Sequence, residues 1–242
     1  MENLWTIILA AGRGTRMKSS SINKVAYKIN GIPMLTRTIQ SLKETGIANI
    51  VVVVGFAKDS VLSLLENSIK TVEQKNMLGT GHAVKTALSK IPKNAKDVLV
   101  LNGDDSFLLD PKLLKKMYLK HLESKAKITF LSVKMDAPGG LGRVLRGKNG
   151  KVLGIVEEKD ATEAQKKVKE VNAACYIFDY SFLKKFIGVI KKSDITGEYY
   201  IVNLIRTAAD LGMPVAALKV NKTNWRGVNT PEELLEAEKI TK

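Results

Sequence analysis

The sequence predicts a doubly wound α/β fold with a mostly parallel sheet. Its clearest strands are apolar, β-branched runs at 4–9, 50–54 and 97–101, which do not alternate with polar residues. Such runs are typical of strands that are buried on both faces, as in parallel sheets. Segments with helical spacing of apolar residues lie between them, and the connections are long enough for right-handed crossovers. Together these observations indicate a sheet with helices on both faces.

The remaining elements follow in order along the chain. In the segment 34–45, Leu35, Ile39 and Leu42 have helical spacing, and Gly46 ends the predicted helix. The helix that begins at Pro111 has its proline in the first turn, where a missing N–H loses no hydrogen bond. Further helices are expected at 60–65, 80–88, 111–122, 198–211 and 231–240, and further strands at 126–133, 171–178 and 215–219.

The character of the sequence changes after about residue 138. Two strand-like segments, 143–146 and 152–156, flank a turn rich in Gly and Asn, which predicts a β-hairpin. We therefore expect a single domain over 1–242 with an inserted β-rich lobe. The expected core is about 1–135 and 205–242, and the expected lobe is about 136–204.

Composition restricts the class of protein. The 242 residues are 45% hydrophobic and 26% charged, which are ordinary values for a globular chain. The longest nearly apolar stretch, 47–57, is far shorter than the roughly 20 residues of a membrane span. The N-terminus lacks the pattern of a secretory leader, and the single cysteine, Cys175, excludes an internal disulfide. We expect a cytoplasmic protein with no membrane partner.

The net charge of the chain is +15, from 39 basic and 24 acidic residues. A strongly basic protein attracts three kinds of partner: nucleic acids, anionic surfaces and small phosphate-rich substrates. The lysines are spread along the chain, and aromatic residues do not alternate with them as they do in single-strand binders. The densest lysine runs lie in helix-like segments with apolar residues between them, which indicates solvated helix faces, and the pattern argues against nucleic acid as a partner.

The first candidate site is the loop at 10–17, which follows the first predicted strand. Ligands of a doubly wound sheet bind beyond the carboxyl ends of its strands. Small residues leave the N–H groups of this loop open to an anion, and Arg13, Arg16 and Lys24 supply positive charge. The loop is neither a Walker A loop nor the dinucleotide fingerprint, in which Met17 would be glycine. A tight turn with surface arginines remains the alternative.

The second candidate is Asp104, which follows the buried strand at 97–101. A carboxylate at the end of a strand is well placed to bind Mg²⁺. Aspartates that cap helices or stabilise turns occur in the same context. The residue by itself leaves both interpretations open.

Two motifs resemble those of a known family. Residues 9–17, LAAGRGTRM, resemble the L-x-x-G-x-G-T-R-M signature of the sugar-nucleotide pyrophosphorylases, in which Lys24 matches the lysine that follows. Residues 74–83 resemble the uridine-recognising Q-x-x-x-L-G-T-G-H-A segment of the N-acetylglucosamine-1-phosphate uridyltransferases. The amide of Gln74 offers both a donor and an acceptor, which suits the imide edge of uracil. The resemblance implies a Rossmann-like nucleotidyltransferase fold.

The resemblance also implies a role for each matched residue. Arg16 and Lys24 are the expected catalytic residues, and Asp104 and Asn229 are the expected Mg²⁺ ligands. Asn229 precedes Thr-Pro-Glu, so it fits the start of a helix equally well. The expected nucleotide-binding residues are Leu9, Ala10, Ala11, Gly12, Arg13, Gly14, Gln74, Gly79 and Thr80.

Motifs in the predicted lobe resemble the sugar-binding segments of the same family. Residues 140–144 are similar to G-Y-G-R-I, 154–161 to G-I-V-E-x-K-D-A, and 170–172 to E-I-N. The expected sugar-binding residues are therefore Gly142, Glu157 and Asn172. By this resemblance, 136–204 is a sugar-binding lobe.

The sequence departs from the family pattern in three places. Asn23 stands where a proline usually precedes the lysine, which predicts a less rigid loop at Lys24. Ala173 and Ala174 replace Thr-Gly, so a hydroxyl and a conformationally permissive glycine are lost beside the sugar. The acetyltransferase domain of the bifunctional relatives is expected to be absent, since the sequence ends soon after 231–240.

The resemblance implies a Mg²⁺-assisted enzyme that forms UDP-N-acetylglucosamine from UTP and N-acetylglucosamine 1-phosphate. Three alternatives stay open. Ala173 and Ala174 are compatible with a hexose-1-phosphate uridylyl- or thymidylyltransferase. A cytidylyltransferase shares the first loop, but Gln74 argues against it. A non-catalytic binder of sugar nucleotides or nucleic acid would not need the pair Asp104 and Asn229. A separate acetyltransferase partner and the oligomeric state also remain open.

Overall fold

A nine-stranded mixed sheet forms the centre of the molecule within the residues that the structure describes. The structure is a computed structural model and describes residues 1, 3–17, 20–104, 109–220 and 227–240. Along the chain, the strands are β1 (Leu4–Ala10), β2 (Lys28–Ile29), β3 (Ile32–Pro33), β4 (Ile50–Val54), β5 (Lys70–Glu73), β6 (Asp97–Asn102), β7 (Ile128–Lys134), β8 (Arg143–Arg146), β9 (Val152–Val156), β10 (Glu170–Asp179) and β11 (Val215–Val220).

The order of strands in the sheet is β11-β7-β10-β6-β1-β4-β5. Strand β1 pairs in parallel with β4 and β6, so that Ile8 lies between Val52 and Leu101. The pairs β4–β5 and β7–β11 are also parallel. Strand β10 alone runs antiparallel to both of its neighbours in this path, β6 and β7. The predicted fold class, a doubly wound and mostly parallel sheet, is confirmed.

Helices cover both faces of the sheet. The first helix buries Leu35, Ile39 and Leu42, the three positions whose spacing predicted it. The fourth begins with Pro111, and the side chain of Asp110 caps it by accepting a hydrogen bond from the N–H of Lys112. The helices are α1 (Met34–Glu44), α2 (Lys58–Leu62), α3 (Thr80–Ala87), α4 (Pro111–Glu123), α5 (Glu163–Lys166), α6 (Tyr180–Phe186), α7 (Asn203–Asp210) and α8 (Pro231–Ile240).

The two largest apolar clusters of the core lie on the two faces of the sheet. In β6, Val98 and Val100 belong to one cluster, whereas Leu99 and Leu101 belong to the other. This alternation follows from the pleat of a strand. Each fully buried aliphatic side chain contributes roughly 1.5–3 kcal/mol. A strand that packs on both faces therefore has to be apolar along its buried centre, as residues 98–101 of β6 are.

Two predicted helices differ from those in the structure. The helix expected at 198–211 begins only at Asn203. The residues before it are not helical, because the backbone at Tyr199 bonds instead to the loop that precedes α3: its N–H donates to Leu78 O at 2.8 Å. The helix expected at 60–65 is α2, which begins two residues earlier and is followed by turns.

The hairpin expected at 143–156 is present as β8 and β9, which pair antiparallel. Strand β8 also pairs with β10 through Val171 and Arg143. Since β10 pairs with β6 and β7 as well, the hairpin is continuous with the central sheet through β10. The division into a core and a lobe at 136–204 remains a prediction.

Within the described part of the chain, no helix is long and apolar enough to cross a membrane.

Candidate active site

A cavity of about 720 Å³ lies beyond the carboxyl ends of β1 and β6. Its lining includes Arg16 from the loop after β1, Asp104 from the loop after β6, and Asn229, which precedes α8. The expected sugar-binding residues, Gly142, Glu157 and Asn172, line the same cavity. The position agrees with the rule that ligands of doubly wound sheets bind at strand ends.

Three predicted site residues that line the cavity lie together, and the side chain of Lys24 contacts two of them. The ammonium of Lys24 contacts the carboxylate of Asp104 and donates a hydrogen bond to Asn229 Oδ1 at 2.9 Å. Arg16 Nη2 donates to the same amide oxygen at 3.0 Å. The side chains of Lys24 and Asp104 are only 14% and 16% exposed, so water screens their attraction less than it would at the surface.

Close packing of the backbone brings these residues together. A Cβ atom on Gly103 would lie 2.9 Å from Cγ1 of Val25, so only glycine lets the loop after β6 approach the turn that carries Lys24. The carbonyl of Asp104 accepts a hydrogen bond from Val228 N–H at 3.2 Å. This bond ties the segment before α8 to the same loop.

The oxygen atoms at this position fit a magnesium ion. The Asp104 carboxylate and the Asn229 amide oxygen are hard donors, and both already face one cation, Lys24 Nζ. The described residues contain no group of three or more His, Cys, Asp or Glu side chains that would hold a metal alone. A magnesium ion here would therefore need ligand phosphates or water to complete its coordination.

The sequence left open whether Asn229 caps the helix that follows it. In the structure, Asn229 does not itself cap α8. Thr230 Oγ1 accepts a hydrogen bond from Glu233 N–H at 3.2 Å. The Glu233 carboxylate in turn accepts from the backbone N–H of Asn229 at 2.6 Å. The arrangement resembles a capping box and leaves the Asn229 side chain to face Arg16 and Lys24.

The loop after β1 presents its backbone to the solvent side. Nothing lies within 4 Å of the position where a Gly12 side chain would begin. Ala10 and Ala11 are buried, and Gly14 lies against the side chain of Lys24. The carbonyl of Leu9 accepts from the N–H of Gly103 at 3.0 Å.

Arg13 is oriented differently from Arg16. Its guanidinium lies over the ring of Phe56, 5.2 Å from the centroid, and the residue is not among those that line the cavity. The structure therefore separates the two arginines of the loop.

The expectation that Asn23 makes the loop less rigid is wrong. Its side chain is 1% exposed and hydrogen bonds to the backbone of three segments. Hydrogen bonds replace the conformational restriction that a proline would supply.

Gln74 follows β5, and its side chain is buried. Its amide nitrogen lies 2.9 Å from Nδ1 of His82 and donates to Gly79 O at 3.2 Å. Because the amide nitrogen is a donor, Nδ1 of His82 is the acceptor. His82 thus orients the side chain of Gln74, a function that the sequence did not reveal.

The 197–201 segment packs directly on the loop before α3. Gly79 has φ of +95°, and a Cβ atom there would lie 2.7 Å from Tyr199 O. The hydroxyl of Thr80 accepts a hydrogen bond from Ile201 N–H at 3.0 Å. Gly79 therefore packs directly against the backbone of Tyr199.

Asn172, which also lines the cavity, is held by its neighbours. Its backbone N–H donates to Gly142 O at 2.9 Å. Its side chain donates to the hydroxyl of Tyr176 at 2.5 Å and accepts from Ala174 N–H at 3.1 Å. Tyr176 also lines the cavity and was not predicted; its spacing of four from Asn172 along a strand is the signal that could have identified it.

The carboxyl group of Glu157 lies beside Gly142 in the cavity wall. Burial, together with the nearby carboxylates of Asp160 and Glu198, raises the pKa of Glu157 to about 7. The group therefore titrates near neutral pH.

Ala174 adopts a left-handed backbone conformation, with φ of +48°. It lies at the bulge in β10, between the residues that pair with Ser132 and Phe130. The family pattern has glycine at this position, and glycine adopts this conformation without strain. The alanine of this chain is strained there. Ala174 also lines the cavity.

The fold and the residues gathered at this cavity are those of an α/β nucleotide-binding protein. A family model described as nucleotidyl transferase matches residues 5–242. The chain belongs to the nucleotidyl transferase family.

The chain is similar to several curated proteins named bifunctional protein GlmU. It is 39% identical over 240 residues to that of Thermoanaerobacter pseudethanolicus, covering 99% of this chain and 52% of the relative. It is 41% identical over 236 residues to that of a Neisseria meningitidis serogroup C strain, covering 97% of this chain and 50% of the relative. The chain thus spans about half the length of these relatives.

A solved structure has the same fold. It comes from Bacillus anthracis and is assigned as a glucose-1-phosphate thymidylyltransferase. Its TM-score is 0.80 with 20% sequence identity, covering 98% of this chain and 94% of that one.

Proposed function

We propose that this chain forms UDP-N-acetylglucosamine and pyrophosphate from UTP and N-acetylglucosamine 1-phosphate. One observation carries the proposal: one cavity is lined both by Arg16, Asp104 and Asn229, two of which Lys24 contacts, and by the three sugar-motif residues. The first group suits a polyphosphate, and the second suits a sugar. The similarity to the GlmU proteins supports the same activity.

In the proposed reaction, a phosphate oxygen of the sugar phosphate attacks the α-phosphorus of UTP. A new phosphorus–oxygen bond forms there, and the bond to the β-phosphate breaks as pyrophosphate leaves. The attacking phosphate is ionised at neutral pH, so no general base is needed. Catalysis then depends on alignment of the two substrates and on neutralisation of charge.

Arg16 and Lys24 supply that charge in the proposal. Both side chains donate to Asn229 Oδ1 in the structure, 3.0 and 2.9 Å away. Substrate phosphates are stronger acceptors than an amide oxygen, so both donors are expected to turn to them when UTP binds. Arg13 stacks on Phe56 and is a less direct contributor.

Asp104 and Asn229 are the proposed magnesium ligands, since their oxygens converge on a single cation. Magnesium bound there would neutralise phosphate charge and orient the substrates. This family generally uses such an ion, and the oxygen donors suit it.

Uracil selection is assigned to Gln74 together with the backbone at Leu9–Gly12 and Gly79–Thr80. His82 and Gly79 bind the amide nitrogen of Gln74, so its amide oxygen is the atom left for a donor such as the uracil N3–H. Sugar recognition is assigned to Gly142, Glu157 and Asn172. A carboxylate accepts hydrogen bonds from sugar hydroxyls.

The test is pyrophosphate release with UTP, Mg²⁺ and either N-acetylglucosamine 1-phosphate or glucose 1-phosphate. Release with the N-acetyl sugar, and its loss in Asp104→Ala, is the expected result. Lys43→Met, which alters an exposed ion pair with Glu66, is the control and should leave the rate unchanged. No release with either sugar would contradict the proposal.

A hexose-1-phosphate uridylyl- or thymidylyltransferase is the second candidate. Ala174, which lines the cavity where the family pattern has glycine, is the observation that favours it. Release with glucose 1-phosphate alone would select this candidate. The bifunctional relatives are about twice as long as this chain, and we propose that this enzyme acts in the cytoplasm.

A further inference from the structure

Asn23 uses its whole side chain to bind loops around the candidate site. Its amide nitrogen donates to the carbonyls of Phe56 at 2.8 Å and Ala10 at 3.0 Å, with Gly12 O at 3.3 Å sharing the same donor. Its amide oxygen accepts from Val25 N–H at 3.2 Å. A buried amide with all these partners holds its surroundings in one arrangement, because each lost bond would leave a buried polar group unpaired.

These bonds decide which way two peptide groups face. The C=O and N–H of a trans peptide point in opposite directions, and the described residues contain no cis peptide. Since the carbonyls of Ala10 and Gly12 point at Asn23, the N–H groups of Ala11 and Arg13 point away from it. Among the backbone hydrogen bonds of the described turns and loops, neither N–H is a donor, so we take both as donors for a ligand.

The same residue links the charged side chains to this backbone. Asn23 starts the short 3-10 turn Lys24–Ala26 and accepts from Val25 N–H within it, so it sets the base of Lys24. It also binds the carbonyl of Phe56, whose ring lies under the Arg13 guanidinium. Its own N–H donates to Ser60 Oγ at 2.9 Å, which anchors Asn23 to α2.

We propose that Asn23 is a positioning residue for the nucleoside triphosphate: it turns the N–H groups of Ala11 and Arg13 toward the nucleotide and sets the direction of Lys24. The inference rests on the proposed function, because it assumes that this loop binds UTP. Asn23 itself touches no substrate in this proposal. It acts through the backbone that it holds.

The most informative substitution is Asn23→Asp. Aspartate has the same shape and keeps an oxygen for Val25 N–H, but it sets a second oxygen against three carbonyl oxygens. The peptide groups would then be repelled rather than held. Asn23→Ala removes the bonds without this repulsion. Thr38→Val is the matched control, since Thr38 is equally buried and its hydroxyl bonds only to Met34 O within α1.

The first measurement is calorimetric binding of UTP in the presence of EDTA, alongside thermal unfolding. We expect both Asn23 variants to bind UTP about tenfold or more weakly than the wild type, and Thr38→Val to bind within twofold. In steady-state assays the KM for UTP should rise, whereas the KM for the sugar phosphate should change less than twofold. A structural defect alone would affect both constants.

Two results would overturn the inference: UTP affinity unchanged in both Asn23 variants, or equal rises of both KM values. If the variants do not fold, amide resonances of the wild type decide, since those of Ala11 and Arg13 should shift on addition of UTP. Unshifted resonances in a protein that binds UTP would contradict the role of Asn23. A wild type that binds UTP but forms no product would instead contradict only the proposed function.

Discussion

The ammonium of Lys24 donates a 2.9 Å hydrogen bond to the amide oxygen of Asn229, which lies 205 residues further along the chain. The same ammonium contacts Asp104. The ammonium of Lys24 therefore pairs with both of the oxygens that we propose as magnesium ligands. Nucleotide phosphates would draw the lysine away and make these oxygens available to the metal.

The first prediction is that Lys24→Met strengthens metal binding while it reduces activity. Without the competing positive charge, the Asp104 carboxylate is unpaired in a partly buried position. We expect Mn²⁺, in the absence of nucleotide, to bind the variant about tenfold more tightly than the wild type. Electron paramagnetic resonance of free Mn²⁺ measures this directly. Lys58→Met, which removes an exposed ion pair, should not change it, and equal affinity in all three proteins would refute the competition.

The second prediction concerns selection of the base. His82→Ala removes the acceptor that orients Gln74, so the discrimination between UTP and CTP in kcat/KM should fall roughly fivefold, the value of one hydrogen bond. Thr86→Ala removes a hydrogen bond one turn further along α3 and should preserve the discrimination. Unchanged discrimination in His82→Ala would show that Gln74 is oriented without it.

The third prediction is a pH dependence from Glu157. Its pKa of about 7 exceeds the ordinary value of 4.5, so the folded protein holds this proton more tightly than the unfolded chain does. The contribution of Glu157 to the free energy of unfolding should therefore fall as the pH rises from about 4.5 to 7. Glu157→Gln should remove this slope, as measured by denaturant unfolding at several pH values.

Ionised Glu157 is also the better acceptor for sugar hydroxyls. The KM for the sugar phosphate should therefore fall as the pH rises through 7, beyond the change that the substrate's own ionisation causes. The substrate ionises in the same way when Glu157→Gln is assayed. The difference in KM between this variant and the wild type therefore isolates the contribution of the protein. Glu163→Gln, at a highly exposed position, is the control that should behave as the wild type does.

The fourth prediction concerns Ala174. A left-handed backbone conformation destabilises a non-glycine residue by roughly 1–2 kcal/mol. Glycine removes this strain, but it increases the conformational entropy of the unfolded chain, which lowers stability by about 0.4–1 kcal/mol. Ala174→Gly should therefore raise the free energy of unfolding by about 0.5–1 kcal/mol. Ala173→Gly, one residue earlier at a buried strand position, should instead lower it by about 1 kcal/mol. Destabilisation by both glycines would contradict the assigned strain.

Much of the fold was predictable from local patterns. The runs in β1, β4 and β6 are apolar because both of their faces are buried, and that composition is visible residue by residue. The predicted helix over 198–211 failed at its start because Tyr199 bonds to Leu78 and Gly81, which lie more than one hundred residues earlier. Local helix preference was overridden by a contact that no local window contains.

The candidate site was also predictable only in part. Its phosphate and metal residues were expected one by one from motifs. Asn23 was misjudged and Tyr176 was missed, because their importance lies in bonds to other segments: Asn23 to Ala10 and Phe56, and Tyr176 to Asn172.

The sequence by itself determined the kinds of element, the β1 loop and the chemistry available at each position, since side-chain type and spacing act over a few residues. Only the tertiary structure decided that Lys24, Asp104 and Asn229 share one point, and that His82 and Asn23 hold the groups around it. Contacts of this kind between distant residues depend on the order of strands in the sheet. That order is set by packing across the whole domain, where contacts between distant residues outweigh the preferences of any short segment.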